Sequence, residues 1–338
     1  MTRLSILDQS PIRTGATPSD AVSDTLALAE LADSLGFYRY WLAEHHSSNG
    51  LAGAAPEILI SQVASRTKGI RVGSGGIMLS HYSPLKVAET FRMLETLFPG
   101  RVDLGIGRAP GSDRLTDQAL QTGPGALGPE HYPTQVHDLM GYLSGDLPEN
   151  HPFAKVRAMP AGPTVPDLWM LGSSDQSASL AAYFGFPFSF AHFISGEGGP
   201  QIVSAYRDHY KPSISSPEPI VNIGVFAVAA DTEEEAENIM KSRDLWSVRQ
   251  RQGLTAPVPS LEEAENYKFG PQEEALRQYN RQRCVWGTAE KVRSGILSLG
   301  DTYKVDEFVI LTICSTFEAR CRSYELLAEA FELAPREI

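Results

Sequence analysis

The segment DLWMLGSSDQSASLAAYFG, residues 167–185, holds a strand, a stop and a helix in one short run. DLWML is an apolar stretch of strand length, and Gly172 ends it. Ser173 or Ser174 can then cap a helix that runs through alanines and leucine to Gly185, a residue suited to closing helices. The same order recurs on both sides. LSILDQ (4–9) leads to a helix with Thr17 as its cap, Pro18 at its first position and Gly36 at its end. Val22, Leu26 and Ala29 give that helix an apolar face. YRYWLA (38–43) precedes a helix over 56–66, and IRVGSGGIML (70–79) precedes one opened by Ser83-Pro84 in the same manner. RVDLGIG (101–107) precedes an irregular segment and a helix over 132–143. Further strands are expected at 187–190, 221–228 and 307–311, with TAEKVRSGILSLG and 317–333 as helices.

Eight strands alternating with helices imply a parallel sheet covered by helices. Eight such units favour the closed (β/α)8 TIM barrel, one α/β domain over 1–338 with insertions at its C-terminal face, over an open doubly wound sheet. The polar stretch 249–272, with Pro257, Pro259 and Pro271, is too long for an ordinary connection. It is either a mobile lid or an insertion with its own short helix.

A chain of 338 residues that is 42% apolar can bury a large core. Its net charge of −12 argues against nucleic acid as a partner, because phosphate backbones call for a basic stripe. The N-terminus lacks the apolar region of a signal peptide, and no apolar run is long enough to span a membrane. Cys284, Cys314 and Cys321 show no metal-type spacing and read as reduced thiols of a cytoplasmic protein.

In such barrels chemistry gathers at the carboxyl ends of the strands. Glu44, His45 and His46 follow the second strand, Gly75-Gly76 lie in the far half of the third, and Arg108 follows the fourth. Ser173, Ser174 and Ser177 surround the helix start after the fifth. Free amides at that start, three hydroxyls and Arg108 together suit a phosphate. The plainer alternative is that a serine only caps the helix while Arg108 pairs with Asp113. The glycine pair marks either a bulge or a place where a flat ligand lies on the backbone. A metal is not expected: three or more ligands must converge, His45 and His46 diverge as neighbours, and the remaining histidines are scattered. His45 suits proton handling, and His46 reads as a hydrogen-bonded structural residue.

WLAEHHSSNGLAGAAPEIL, IRVGSGGIMLSHYSPLKVAE, GRVDLGIGRAPG and LGSSDQSASLAAYFGFP together resemble the bacterial-luciferase-like flavin-dependent monooxygenases. The likeness is strongest over 1–111 and 167–190 and poorest over 241–285. It implies reduced FMN (FMNH2) and O2 acting through a flavin C4a-hydroperoxide on a small organic substrate, a separate flavin reductase and a homodimer. It implies His45 as the catalytic histidine, Gly75 and Gly76 as a cis pair beneath the flavin, and Arg108, Ser173, Ser174 and Ser177 as the phosphate site. Ser173 replaces a carboxylate of luciferase, and Gly107 stands where luciferase has a reactive cysteine, so light emission is not expected. The alternatives are a deazaflavin (F420)-dependent dehydrogenase on the same fold and a non-enzymatic flavin-binding protein; a metal-dependent barrel hydrolase is disfavoured for want of ligands. Tyr82, Phe193 and Trp286 are candidates for an apolar pocket wall.

Overall fold

The computed structural model describes residues 2–108, 113–121, 128–213 and 216–336. Its strands are β1 (Arg3–Asp8), β2 (Arg39–Leu42), β3 (Arg71–Met78), β4 (Val102–Gly107), β5 (Asp167–Gly172), β6 (Phe188–Ala191), β7 (Val221–Ala230), β8 (Cys284–Thr288) and β9 (Glu307–Leu311). Each of β1 to β7 pairs in parallel with the next. The ring closes through β9, where Phe308 stands opposite Ile223 of β7 on one side and Leu4 of β1 on the other. The expected eight-stranded barrel is therefore formed. A ninth strand, β8, lies outside the ring and pairs only with Phe226–Ala230, the outer half of β7. CVWGT is short and ends in Gly287-Thr288, which is why its sequence carries little strand signal.

The helices are α1 (Pro18–Leu35), α2 (Pro56–Arg66), α3 (Pro84–Leu97), α4 (Arg114–Leu120), α5 (Tyr132–Ser144), α6 (Asp175–Phe184), α7 (Gly199–Asp208), α8 (Glu233–Arg251), α9 (Leu261–Asn266), α10 (Pro271–Arg281), α11 (Ala289–Tyr303) and α12 (Phe317–Ala330). In α1 the Thr17 hydroxyl accepts the Asp20 amide, and Gly36 ends the helix at φ 91°. A side chain at Gly36 would also meet the Ala334 backbone at 2.3 Å. Ser83 does stand before α3, but its side chain makes no capping bond. The excursion between β7 and β8 consists of α8, α9 and α10. Buried Val258, within it, exchanges backbone bonds with Ile12 (2.8 Å) and Thr14 (2.9 Å) in the loop after β1.

The main core fills the layer between barrel and helices, with Leu28, Ile60, Val63, Val72, Phe91 and Leu104 among its buried members. Inside the barrel a second cluster of Leu7, Trp41, Trp169 and Val309 packs together. Trp41 and Trp169 meet edge to face at 5.4 Å, a favourable aromatic geometry. The amino-terminal end of the barrel is plugged by charge. Asp103 accepts from Arg39 (2.8 Å), Arg71 (2.6 Å) and the Trp41 indole (2.9 Å). Glu307 accepts from Arg39 (2.8 Å) and Asn222 (3.0 Å). Burial pushes the Asp103 carboxyl up, but Arg39, Arg71 and Trp41 outweigh it and hold the group below its usual range. Among the described residues, no helix is long and apolar enough to cross a membrane.

Candidate functional site

The carboxyl ends of β2 to β5 open on one mouth, and the side chains there are held by a few specific bonds. Glu44, two residues beyond β2, is fully buried. Its carboxylate accepts the Met78 amide at 2.9 Å and the Tyr82 hydroxyl at 2.6 Å, and meets His46 Nε2 at 2.6 Å. Charge-assisted bonds of this kind are stronger than neutral ones. Glu44 thus staples the loop after β2 to the end of β3. From sequence it reads only as a neighbour of the histidines; its burial and bonds show it to anchor His46 and the loop.

His45 is fixed through its backbone, whose amide donates to the Gly53 carbonyl at 2.9 Å. Its ring is left free for other work. Nδ1 is buried and has no hydrogen-bond partner. Burial, with a smaller contribution from nearby His46, lowers the imidazole pKa to about 4. The ring is therefore neutral around pH 7. It borders a cavity of about 280 Å³ whose wall also includes Phe193, Phe226, Arg243, Trp246 and Arg283.

The Gly75–Gly76 peptide is cis. The β3–β4 register slips here, with Gly75 opposite Gly105 and Ile77 opposite Ile106, so Gly76 is the extra residue of a bulge. Gly76 is required by the barrel's own backbone, whereas a side chain at Gly75 would have to displace Leu7. A Cβ on Gly75 would lie 2.6 Å from Leu7, and one on Gly76 would lie 2.7 Å from the Gly105 carbonyl oxygen.

Arg108, just past β4, reaches the first turn of α6, where its guanidinium donates to the Gln176 side-chain carbonyl. It does not pair with Asp113, which instead caps α4. The strand end and the helix start are therefore brought together as expected. Ser174 and Ser177 form a reciprocal cap: the Ser174 hydroxyl accepts the Ser177 amide and the Ser177 hydroxyl accepts the Ser174 amide, each at 3.3 Å. Ser173 is half-buried just before them. Asp175 also stands on this turn and accepts the Gln176 amide at 2.8 Å, a carboxylate that counting hydroxyls alone leaves out. The donor set fits a phosphate: a guanidinium bonded to a neutral amide, a free serine hydroxyl and a helix N-terminus.

Of the three aromatic candidates, Phe193 lines the cavity. Tyr82 holds Glu44. Trp286 lies beneath Arg281 at 5.3 Å and Lys291 at 4.9 Å. Arg243, Trp246 and Gln250 of α8 and Arg283 before β8 are wall residues that the sequence reading missed. Their signal was present in part, since positions three and seven apart on a helix share a face. Among the described residues, no three His, Cys, Asp or Glu side chains are placed to hold a metal ion.

A closed barrel with titratable groups, a glycine bulge and a half-open cavity all at one mouth is the arrangement of a barrel enzyme. The chain belongs to the luciferase-like monooxygenase family, which it matches over residues 2–303, and is an oxidoreductase of that kind. It is 46% identical to the uncharacterized protein YwcH of Bacillus subtilis, over 98% of this chain and 99% of that one. It is 38% identical to the N-acetyl-S-alkylcysteine monooxygenase of the same organism, over 99% of this chain and 100% of the relative. The crystal structure of apo-MsnO8 superposes with a TM-score of 0.90 at 38% identity, covering 99% of both chains. Two more distant structures share the fold alone. One is the FMN complex of the oxygenating constituent of 3,6-diketocamphane monooxygenase from Pseudomonas putida (TM-score 0.71, 17% identity, all of both chains). The other is an F420-dependent secondary alcohol dehydrogenase (TM-score 0.70, 14% identity, 99% of both chains).

Proposed function

We propose that this chain is a flavin-dependent monooxygenase that receives reduced FMN from a separate reductase and uses O2 to oxygenate a small organic substrate. The observation that carries the reading is His45, a buried, neutral imidazole with an unpartnered Nδ1 at the edge of a half-open cavity. Reduced FMN supplies the electrons that activate O2. The protein's own residues do the rest. Arg108, the Ser173 hydroxyl and the α6 N-terminus hold the phosphate. The Gly75–Gly76 backbone gives the ring a face without side chains. His45 donates or accepts a proton at Nδ1, which a neutral imidazole can do near pH 7. Glu44 fixes the loop that presents it. Phe193, Phe226 and Leu311 give the adjoining cavity one apolar side.

The test is anaerobic titration with FMNH2 followed by rapid mixing with oxygenated buffer. Binding, oxygen uptake and diversion to hydrogen peroxide in His45→Ala are expected. Failure of the wild-type protein to bind FMNH2 overturns the proposal. The fold shared with an F420 enzyme favours one other reading, hydride transfer from a deazaflavin. F420 binding without oxygen uptake is its signature. The proposal extends to a homodimer, read as twice the chain mass in light scattering.

A further inference from the structure

The cavity beside His45 is walled by hydrogen-bond donors that nothing in the protein satisfies. Nε and Nη1 of Arg243, Nε of Arg283, Nε1 of Trp246 and Nε2 of Gln250 are all buried without a hydrogen-bond partner, and all four residues line the cavity. Native proteins seldom leave buried donors unmade, and each such group calls for an explanation. Here the unpaired groups are gathered in one place and nearly all have the same polarity. Gln9 Oε1 is the only unpaired acceptor oxygen among them, and His45 Nδ1 takes either role.

The charges point the same way. Among the described residues the wall contains three arginines, Arg243, Arg251 and Arg283, and no carboxylate. Asp244 lies behind it. One of its oxygens, Oδ2, serves Arg281 (2.5 Å) and Arg277 (3.7 Å), and the other lies 3.7 Å from Arg243. Arg283 donates only to neutral acceptors, the Ile194 carbonyl and the Asn280 side chain. Burial, with Arg251 and Arg243 nearby, holds its guanidinium below the ordinary arginine range. One nearly buried positive charge is thus left without a counter-charge, and a single negative charge would match it. The apolar side of the wall is Phe193, Phe226 and Leu311, with the Arg243 guanidinium 4.5 Å from the centre of the Phe226 ring. At about 280 Å³ the space is just below the roughly 300–1,000 Å³ of sites for drug-sized ligands.

We infer that this cavity binds a small monoanionic carboxylic acid, its carboxylate on Arg243 and Arg283 and its apolar body against Phe193, Phe226 and Leu311. The ligand's role as substrate, with its oxidisable atom toward His45, rests on the monooxygenase reading; its charge does not. The phosphate site of the cofactor lies at α6, whereas these donors come from α8 and the approach to β8, so the two anions do not compete.

The test is calorimetric titration of the protein, both unloaded and loaded with oxidised FMN. The probes are N-acetyl-S-benzylcysteine, 4-phenylbutanoate and octanoate, each paired with its primary amide. At least one acid is expected to bind ten times or more tightly than its amide. Arg243→Gln shrinks that preference below threefold, Arg243→Lys keeps part of it, and neither changes FMN affinity. Trp246→Phe removes one donor without altering charge and weakens the acid. Far-UV circular dichroism confirms that each variant folds. If no acid outbinds its amide, or if the preference survives in folded Arg243→Gln, the inference is overturned. Loss of FMN binding by the wild type would count against the flavin reading alone, since the unloaded titrations still report on the cavity.

Discussion

Replacing His45 with glutamine is expected to flatten the acid limb of the protein's stability curve. Burial, helped by His46, lowers the His45 pKa from 6.5 to about 4. In the unfolded chain the ring takes up a proton as pH falls through 6.5, while in the folded protein it stays neutral until about 4. The unfolded state then binds more protons, so stability declines as pH drops across that window. Each pKa unit is worth about 1.36 kcal/mol, which makes the full decline about 3 kcal/mol, with about 2 kcal/mol of it reached by pH 5. His192 is also lowered, by burial and by Arg283, but it contributes to both proteins and cancels in the comparison. The assay is urea unfolding at pH 8 and pH 5, followed by tryptophan fluorescence, for wild type and His45→Gln. The wild type should lose about 2 kcal/mol more than the variant between the two conditions. Proton NMR of the imidazole provides a direct check, with a midpoint expected near 4. A midpoint between 6 and 7, or equal losses in the two proteins, refutes the reasoning. The same shift keeps His45 neutral over the whole range in which a surface histidine would titrate, so no acid limb from this residue should appear near pH 6.5 in turnover.

Arg108→Ala should weaken FMN by roughly 10–150-fold, the equivalent of one charge-assisted bond of about 1.5–3 kcal/mol; quenching of flavin fluorescence on binding measures it, and an unchanged affinity removes Arg108 from the phosphate site. Asp103→Asn should destabilise the barrel by about 3–5 kcal/mol, because Arg39 and Arg71 lose their shared counter-charge. FMN affinity should stay constant in that variant, since the plug lies at the opposite end from the mouth. The folded Asp103 carboxyl is depressed, so its contribution is complete above about 3.8 and is lost as pH falls toward the folded value, a decline that thermal melts of wild type show and the variant lacks. Glu44→Gln should cost about 1–3 kcal/mol through weaker acceptance from Tyr82 and His46. An unchanged urea midpoint in that variant speaks against Glu44 as the loop's anchor.

The barrel is legible in the sequence because its signals are local. Thr17-Pro18 and Gly36 bound α1, and apolar runs such as VNIGVFAV announce buried strands. β8 is not legible, because five residues pairing with half of one strand leave little pattern. At the mouth, residues just past strand ends can be named from the alternation alone, which is how His45, Arg108 and the α6 serines emerge. Arg243, Trp246, Gln250 and Arg283 escape that rule. They arrive from α8 and from beyond α10, and only the folded chain shows that they share a cavity wall with His45. Glu44 escapes for another reason: a carboxylate beside two histidines looks like chemistry, whereas total burial and bonds to Met78 and Tyr82 make it architecture.

The outlying strand β8 separates two tasks that most barrels combine. Ring closure depends on β7 pairing with β6 and β9 through Val221–Phe226, while the excursion is moored by β8 on Phe226–Ala230. Everything between the two moorings can change in length or composition without disturbing a hydrogen bond of the ring. That stretch supplies Arg243, Trp246, Gln250 and Arg283 to the cavity wall, whereas the phosphate-ready face belongs to β4 and α6. Over evolutionary time the cavity wall can therefore change while the join between β4 and α6 stays constant.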